Sequence, residues 1–155
     1  MAELPSSETL ARLVSNITRT MFGMSFMLAA QERDGLPWLD AQPWRTLCLP
    51  IPGGRPLTVL IATDQQGALV LGGAMFSCPP NEVDRAMVDD ALGELVNIIA
   101  GQIKIALGLD QALGLPRVLE GAAGVEGTQA WRSATLEGGS NKVMVWVAVM
   151  EHPPV

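Results

Sequence analysis

A run of apolar residues near the end of the chain, 143–150, limits the fold more than any other feature. It reads VMVWVAVM and contains no charged or hydrogen-bonding polar residue except the tryptophan ring. Successive side chains of a strand point to opposite faces, so the valines line one face and the remaining large residues the other. A strand with two apolar faces must lie inside a sheet. We therefore expect 142–151 to be a central strand, with helices covering one side and a partner subunit a candidate to cover part of the other.

The remaining strands are predicted as hairpins. Residues 44–51 and 56–62 are largely apolar and flank the turn sequence Pro-Gly-Gly-Arg. Residues 128–137 precede the turn sequence Gly-Gly-Ser-Asn and the central strand, which makes a second hairpin. A short strand is expected at 117–119, after a proline. Together these segments predict an antiparallel sheet.

Two helices are predicted in the first half of the chain. Residues 9–29 carry leucine, valine, isoleucine and methionine at a spacing of three and four, which is typical of an amphipathic helix. Residues 65–77 are apolar but contain several glycines, which weaken a helix, and we interpret them as a short one. The glycine, proline and charges of 32–42 predict a loop.

A long helix is predicted over 82–107. Asn81 follows two prolines and stands where a helix N-cap is expected, and Gly108 is available as the C-cap. The complete pattern predicts an α+β fold, with an N-terminal helix and this long helix packed on an antiparallel sheet, in a single domain over residues 1–155.

Composition excludes several classes of function. The 155 residues are 48% hydrophobic and 17% charged, which indicates a packed core, and the net charge of −6 argues against a nucleic-acid partner. The start of the chain has no signal-peptide pattern, and no apolar run is long enough to span a membrane. Cys48 and Cys78 are best interpreted as free thiols. We expect a cytoplasmic protein that does not bind a membrane.

The usual catalytic and nucleotide-binding motifs are missing from the sequence. The single histidine, His152, lies next to a proline near the end of the chain, where we expect it to be solvated. We therefore expect neither a Ser-His-Asp triad nor a histidine metal centre. The glycine pairs are not followed by the Lys-Ser or Lys-Thr of a phosphate-binding loop.

The polar face of the long helix carries the candidate site. Asp90, Glu94, Asn97 and Gly101 are each three or four residues apart and therefore fall on nearly one line, with Gly93 and Lys104 on the same side. A polar face is ordinary, but a mid-helix glycine costs about 1 kcal/mol relative to alanine. Two glycines on this face could lower the surface for the close approach of another backbone. The alternative is that a loop of the same chain lies over them.

The sequence of residues 90–104, DALGELVNIIAGQIK, resembles the signature helix of the CheC/CheX/FliY phosphatases of bacterial chemotaxis. In that helix a Glu and an Asn stand three residues apart, between an acidic start and a glycine end. The predicted order of elements is also similar to that of CheX. Only one such helix occurs here, whereas CheC-like proteins have two, so the resemblance is to the CheX branch.

The resemblance implies hydrolysis of the phosphoaspartate of a CheY-like response regulator. Asn97 would orient the attacking water and Glu94 would pair with a lysine of the regulator, while Asp90, Gly93, Gly101 and Lys104 would contact it. The regulator would supply Mg²⁺, so that this chain needs no cofactor of its own. A homodimer formed by strand exchange is also implied.

Two other functions are compatible with the same residues. The chain could dock on a regulator without hydrolysing its phosphate, or it could be a structural dimerisation domain whose polar helix face is only solvated. An Asn97 covered by its own chain would favour the structural domain. An exposed Asn97 beside a glycine-floored depression would favour the phosphatase.

Overall fold

The computed structural model describes residues 3–28, 43–119, 130–138 and 143–153, which form three α-helices and one six-stranded antiparallel sheet. The predicted α+β architecture is confirmed. The sheet has the strand order β1-β5-β6-β3-β2-β4. In chain order the elements are α1 (Ser7–Phe22), β1 (Phe26–Leu28), β2 (Arg45–Ile51), β3 (Leu57–Thr63), α2 (Gln65–Phe76), α3 (Arg85–Ala106), β4 (Arg117–Val118), β5 (Ala130–Gly138) and β6 (Val143–Glu151).

Strand β6 lies in the middle of the sheet, between β5 and β3, as its two apolar faces predict. Its valines pack into the core formed with the helices. The opposite face is also buried: Trp146, Ala148 and Met150 pack with Cys48 and Leu60 within the same chain. A partner subunit is therefore not needed to cover these residues, contrary to our expectation for that face.

The β2–β3 hairpin forms as predicted, and the side chain of Gln111 holds its turn. The Gln111 amide donates to the carbonyl oxygen of Arg55 at 2.8 Å and accepts from the Arg55 backbone N–H at 3.0 Å. Gly53 has φ +148°, and a Cβ there would lie 2.5 Å from Cγ of Gln111. The turn therefore requires glycine at this position. The guanidinium of Arg55 also forms a two-bond ion pair with Glu151, which fastens the turn to the end of β6.

Helix α1 is shorter than the predicted 9–29. Gly23 adopts the left-handed conformation with φ +66°, and its N–H donates to the carbonyl oxygen of Arg19, which ends the helix. The chain then continues as β1, which pairs with β5. The prediction was wrong here because Met24 and Met27 continue the helical spacing beyond the glycine. The predicted loop 32–42 and residues 139–141 of the predicted second turn lie outside the described residues.

The prediction of a short helix at 65–77 is confirmed by α2. The glycines that weakened this prediction have a packing role, since a Cβ at Gly73 would lie 2.7 Å from the carbonyl oxygen of Cys78. Glycine thus lets the following segment fold back against the helix.

Helix α3 begins later than predicted. Its N-cap is Asp84, whose carboxylate accepts from the N–H of Met87 at 2.8 Å, whereas Asn81 lies in a separate 3₁₀ turn, Pro80–Glu82. Asn81 is therefore not the N-cap, because Val83 is extended and interrupts the helix. The C-cap is Leu107 and not the predicted Gly108, which follows it with φ +65° and donates its N–H to the carbonyl oxygen of Ile105.

Three smaller predictions concern the thiols, the membrane and the histidine. Cys48 and Cys78 are free, as predicted. Within the described residues, none of the helices has the length and apolar character needed to cross a bilayer. His152 is not simply solvated, because it is half-buried and its Nε2 lies 2.7 Å from Oγ1 of Thr58.

Candidate functional site

Helix α3 turns one face to the core and leaves the line of polar residues open. Eight apolar residues along one side of α3 are buried, and the helix packs there against the sheet and the other helices, which fixes its rotation about its axis. Asp90, Glu94 and Asn97 are exposed as a result, while Gly93, Gly101 and Lys104 are half-buried. The burial pattern therefore agrees with the predicted line along the open side of the helix.

A shallow groove of about 420 Å³ runs beside this line. Five residues of α3 form one side of it: Asp89, Asp90, Gly93, Glu94 and Asn97. Leu47 of β2 and the segment Pro116, Arg117 and Val118 form the rest. The structure thus brings four of the six predicted site residues into one groove, whereas Gly101 and Lys104 lie further along the helix, outside its lining.

The wall opposite α3 was missed by sequence reasoning. Residues 117–119 were predicted only as a short strand after Pro116, because nothing in the sequence shows that this segment pairs with β2 directly beside the long helix. In the structure Leu47 pairs with Val118 and Cys48 with Arg117, so β4 becomes the edge of the sheet next to α3. This pairing creates the groove.

Strand alternation separates the side chains of the two β4 residues. Val118 pairs with Leu47, which faces the helices, whereas Arg117 pairs with Cys48, which packs on the opposite face of the sheet. The Nε of Arg117 accordingly lies 3.4 Å from Sγ of Cys48 and donates to it. This hydrogen bond raises the pKa of Arg117, and the guanidinium forms no ion pair with a described carboxylate of α3.

The α3 side of the groove carries negative charge. Asp89 is neutralised by Arg45, whose Nε and Nη2 each donate to one of its carboxylate oxygens at 2.6 Å. Asp90 and Glu94 form no ion pair with any residue that the structure describes. Since like charges one helical turn apart destabilise a helix slightly, this pair is better suited to meeting a cation from outside.

Neither glycine of the line is required by packing within the described chain. A Cβ at Gly93 would lie 3.7 Å from Cβ of Pro116 and 3.8 Å from Cδ2 of Leu47, which is ordinary van der Waals contact. A Cβ at Gly101 would meet no described atom within 4 Å. No described loop of the same chain therefore explains these glycines, and each still carries the helix cost of about 1 kcal/mol.

The other chemistry-bearing residues do not form a competing site. Among the residues described, no three His, Cys, Asp or Glu side chains converge as a metal site would require. His152 contacts Thr58 on β3, and neither residue lines the groove beside α3. Exposed Asn97 and Glu94, beside a depression that contains Gly93, are the arrangement that favours the phosphatase over a structural domain.

Comparison with known proteins identifies a family whose sequence profile matches this chain. The sequence profile of the family described as "Chemotaxis phosphatase CheX" matches residues 46–132, which include the whole of α3. No curated protein sequence is similar enough to count as a match.

Similar folds occur among solved structures. A chemotaxis protein CheX from Desulfovibrio desulfuricans is 17% identical, with 92% of this chain and 96% of that chain covered and a TM-score of 0.68. CheX from Vibrio vulnificus is 18% identical, with coverage of 92% and 93% and a TM-score of 0.65. The chain matched in a CheX-CheY-BeF3-Mg²⁺ complex from Borrelia burgdorferi is 15% identical, with coverage of 97% and 100% and a TM-score of 0.66. At these identities the likeness shows the fold.

Proposed function

The chain belongs to the CheX family of chemotaxis phosphatases, and from this premise we propose that it hydrolyses the phosphoaspartate of a CheY-like response regulator. One observation carries the proposal: Glu94 and Asn97 stand exposed on one wall of an open groove, one helical turn apart. A surface site of this kind suits a substrate that is itself a folded protein, since the reacting phosphoryl group arrives on the partner.

Asn97 is the group that we expect to act on the reacting atoms. In the reaction the oxygen of water forms a bond to phosphorus while the bond from phosphorus to the aspartate oxygen breaks, which gives inorganic phosphate and the free carboxylate. Such a transfer is accelerated mainly by positioning and electrostatics. A side-chain amide can hold the water in line with the leaving oxygen, and the exposed position of Asn97 leaves its amide accessible to do so.

Glu94 is expected to anchor the regulator through a lysine. Because Arg45 neutralises Asp89, the negative charge of the groove is concentrated at Glu94 and Asp90. The regulator would supply the Mg²⁺ that binds the phosphoryl oxygens, so that this chain holds no metal in the proposal. Gly93 and Gly101 would allow close approach of the regulator's backbone, and Lys104 would contact it at the end of the line.

One of the solved structures supports the choice of partner. The Borrelia burgdorferi complex contains CheX, CheY, BeF3 and Mg²⁺, as its name states. We extend this by analogy of fold alone to a CheY-like partner here.

The test is a screen of the host's receiver domains. Each is phosphorylated with labelled acetyl phosphate, separated from the reagent, and timed for loss of label with Mg²⁺ present, with and without this protein. Accelerated loss from one receiver supports the proposal, provided that Asn97→Ala abolishes the acceleration. Binding without acceleration, measured by calorimetry on the same receivers, would instead establish the non-catalytic docking module.

Location and assembly complete the proposal. We place the protein in the cytoplasm, where response regulators act, and as a homodimer, which the family resemblance implies. The apolar faces of β6 give the dimer no support, because the chain buries them itself. Sedimentation at micromolar concentration tests the dimer, and a monomer would contradict it.

A further inference from the structure

The wall of the groove opposite α3 exposes the apolar side chain of Val118 beside Arg117 and the half-buried Pro116. Leu115, which directly precedes this wall, is 83% exposed, and Val118 is 36% exposed. Pro116 and Val118 line the same groove as Glu94 and Asn97. Because one groove contains both sets of residues, a partner seated over Asn97 also faces this wall.

The wall is held in place by the rest of the fold. The N–H of Gly114 donates to the carbonyl oxygen of Pro50 at 2.7 Å, and that of Leu119 donates to Thr46 at 2.9 Å. Between these two anchors the chain contains Pro116 and pairs with β2 through β4. A Cβ at Gly114 would lie 2.9 Å from the carbonyl oxygen of Pro50, so the first anchor also depends on close backbone contact.

Isolated exposed leucines are common and need no explanation. Here Pro116 and Val118 line the candidate site, and Leu115 lies immediately before them on a backbone that is fixed at both ends. An apolar group that is already held in position loses little conformational freedom when a partner covers it, which is typical of residues that dominate binding energy.

We propose that Leu115, Pro116 and Val118 form an apolar docking rim for the regulator and help to determine which regulator is accepted. The proposal rests on the proposed function, because the occupant is the same phosphorylated receiver that meets Glu94 and Asn97. The complementary surface on that receiver carries a basic side chain facing Glu94 and Asp90, and an apolar patch beside it facing the rim.

The chemistry of the rim determines which kinetic constant it affects. Apolar side chains neither move a proton nor orient water, so their contacts are equally strong before and during phosphoryl transfer. Interactions of that kind lower KM and leave kcat unchanged. Replacement of Asn97 should instead lower kcat and leave KM unchanged. Measurement of both constants therefore separates the two roles.

The experiment compares Leu115→Ser, Val118→Thr and Met27→Ser with the parent protein. Met27 is the matched control because it is 75% exposed and lies on β1, at the opposite edge of the sheet from β4. The substrate is the phosphorylated receiver that the parent dephosphorylates fastest in the screen. We expect Leu115→Ser to raise KM on the order of tenfold and Val118→Thr several-fold, with kcat unchanged. Met27→Ser should leave both constants unchanged.

Each other outcome contradicts the rim. An unchanged KM for Leu115→Ser and Val118→Thr, with turnover still lost in Asn97→Ala, would overturn the rim and leave the phosphatase intact. A fall in kcat at constant KM would show that the segment positions α3 instead. If the two rim variants keep the parent KM but are monomers where the parent protein is a dimer, the rim serves self-association instead. If no receiver is dephosphorylated, the proposed function fails and the rim with it.

Discussion

Arg45 binds both carboxylate oxygens of Asp89 at 2.6 Å and thereby links β2 to the helix that carries Glu94 and Asn97. The two side chains are mostly buried, with 13% of Arg45 and 30% of Asp89 exposed. The ion pair fixes the side of α3 that faces β2. It also leaves Asp90 and Glu94 as the groove carboxylates that have no cationic partner among the described residues.

Replacing Asp89 by Asn should destabilise the fold, because one carboxylate oxygen and the charge that binds Arg45 are lost. We expect the free energy of unfolding in urea to fall by about 1.5 to 3 kcal/mol, the range for hydrogen bonds to charged groups. Asp90→Asn is the control. Asp90 is exposed and lies one helical turn from Glu94, which has the same charge. Its replacement should therefore change stability by less than about 0.5 kcal/mol. Equal effects of the two changes would show that the ion pair contributes nothing.

Asn97→Ala should keep the fold and lose the activity. The side chain is exposed and alanine is the better helix former, so stability should be unchanged or slightly higher. If the amide holds the attacking water, dephosphorylation of the regulator should fall by a factor on the order of 10² or more. The rate is measured under single turnover, and circular dichroism checks the fold.

A matched control for Asn97 exists on the same helix. Gln102 is also an exposed amide, but it lines the cleft between α1 and α3 and not the groove of Asn97. Gln102→Ala should retain the parent rate. A folded Asn97→Ala with the parent rate would remove the catalytic assignment.

Glu94→Ala should weaken the complex more than it slows the chemical step. An interfacial lysine that loses its carboxylate is left with an unpaired charge, which costs about 2 kcal/mol or more. We therefore expect KM for the phosphorylated regulator to rise on the order of thirtyfold, which corresponds to that energy, and kcat to change little. Glu137→Gln, a change at an exposed carboxylate of β5, is the control and should have no effect. A loss confined to kcat would contradict the anchoring role.

How far the sequence predicts this molecule depends on which interactions are local. The hairpin of β2 and β3, the central position of β6 and the exposure of Glu94 and Asn97 follow from spacing and turn residues, which operate over a few positions. The prediction for the end of α1 is wrong because the methionine spacing continues past Gly23, whose left-handed conformation ends the helix. The N-cap was predicted at Asn81, after the prolines, although Asp84 is also a residue type favoured at N-caps and is the one that caps α3.

The groove depends on pairing between residues that are far apart in the chain. Local sequence patterns do not predict such pairing. Val118 lies beside α3 only because it pairs with Leu47, 71 positions earlier in the chain by their numbers, and no local pattern specifies that register. The ion pair of Arg45 with Asp89 has a separation of 44 positions. Sequence reasoning could therefore name the helical half of the site, whereas its apolar wall and its charge balance required the fold.

The last prediction concerns Gly101, where stability and function should change in opposite directions. A methyl group at this position meets no described atom within 4 Å, so Gly101→Ala should stabilise the protein by about 1 kcal/mol through the helix preference of alanine. The same methyl group occupies the space through which the regulator's backbone is proposed to approach. We therefore expect a protein that is harder to unfold in urea and that has a higher KM for the phosphorylated regulator.

Gly73→Ala is the control for the effect on stability. Its Cβ would lie 2.7 Å from the carbonyl oxygen of Cys78, so the backbone must shift and the protein should lose about 1 to 3 kcal/mol. This contrast separates a glycine required by the protein's own packing from one that leaves room for a partner. If Gly101→Ala were more stable and kept the parent KM, Gly101 would lie outside the docking surface, and close backbone approach would have to be tested at Gly93 alone.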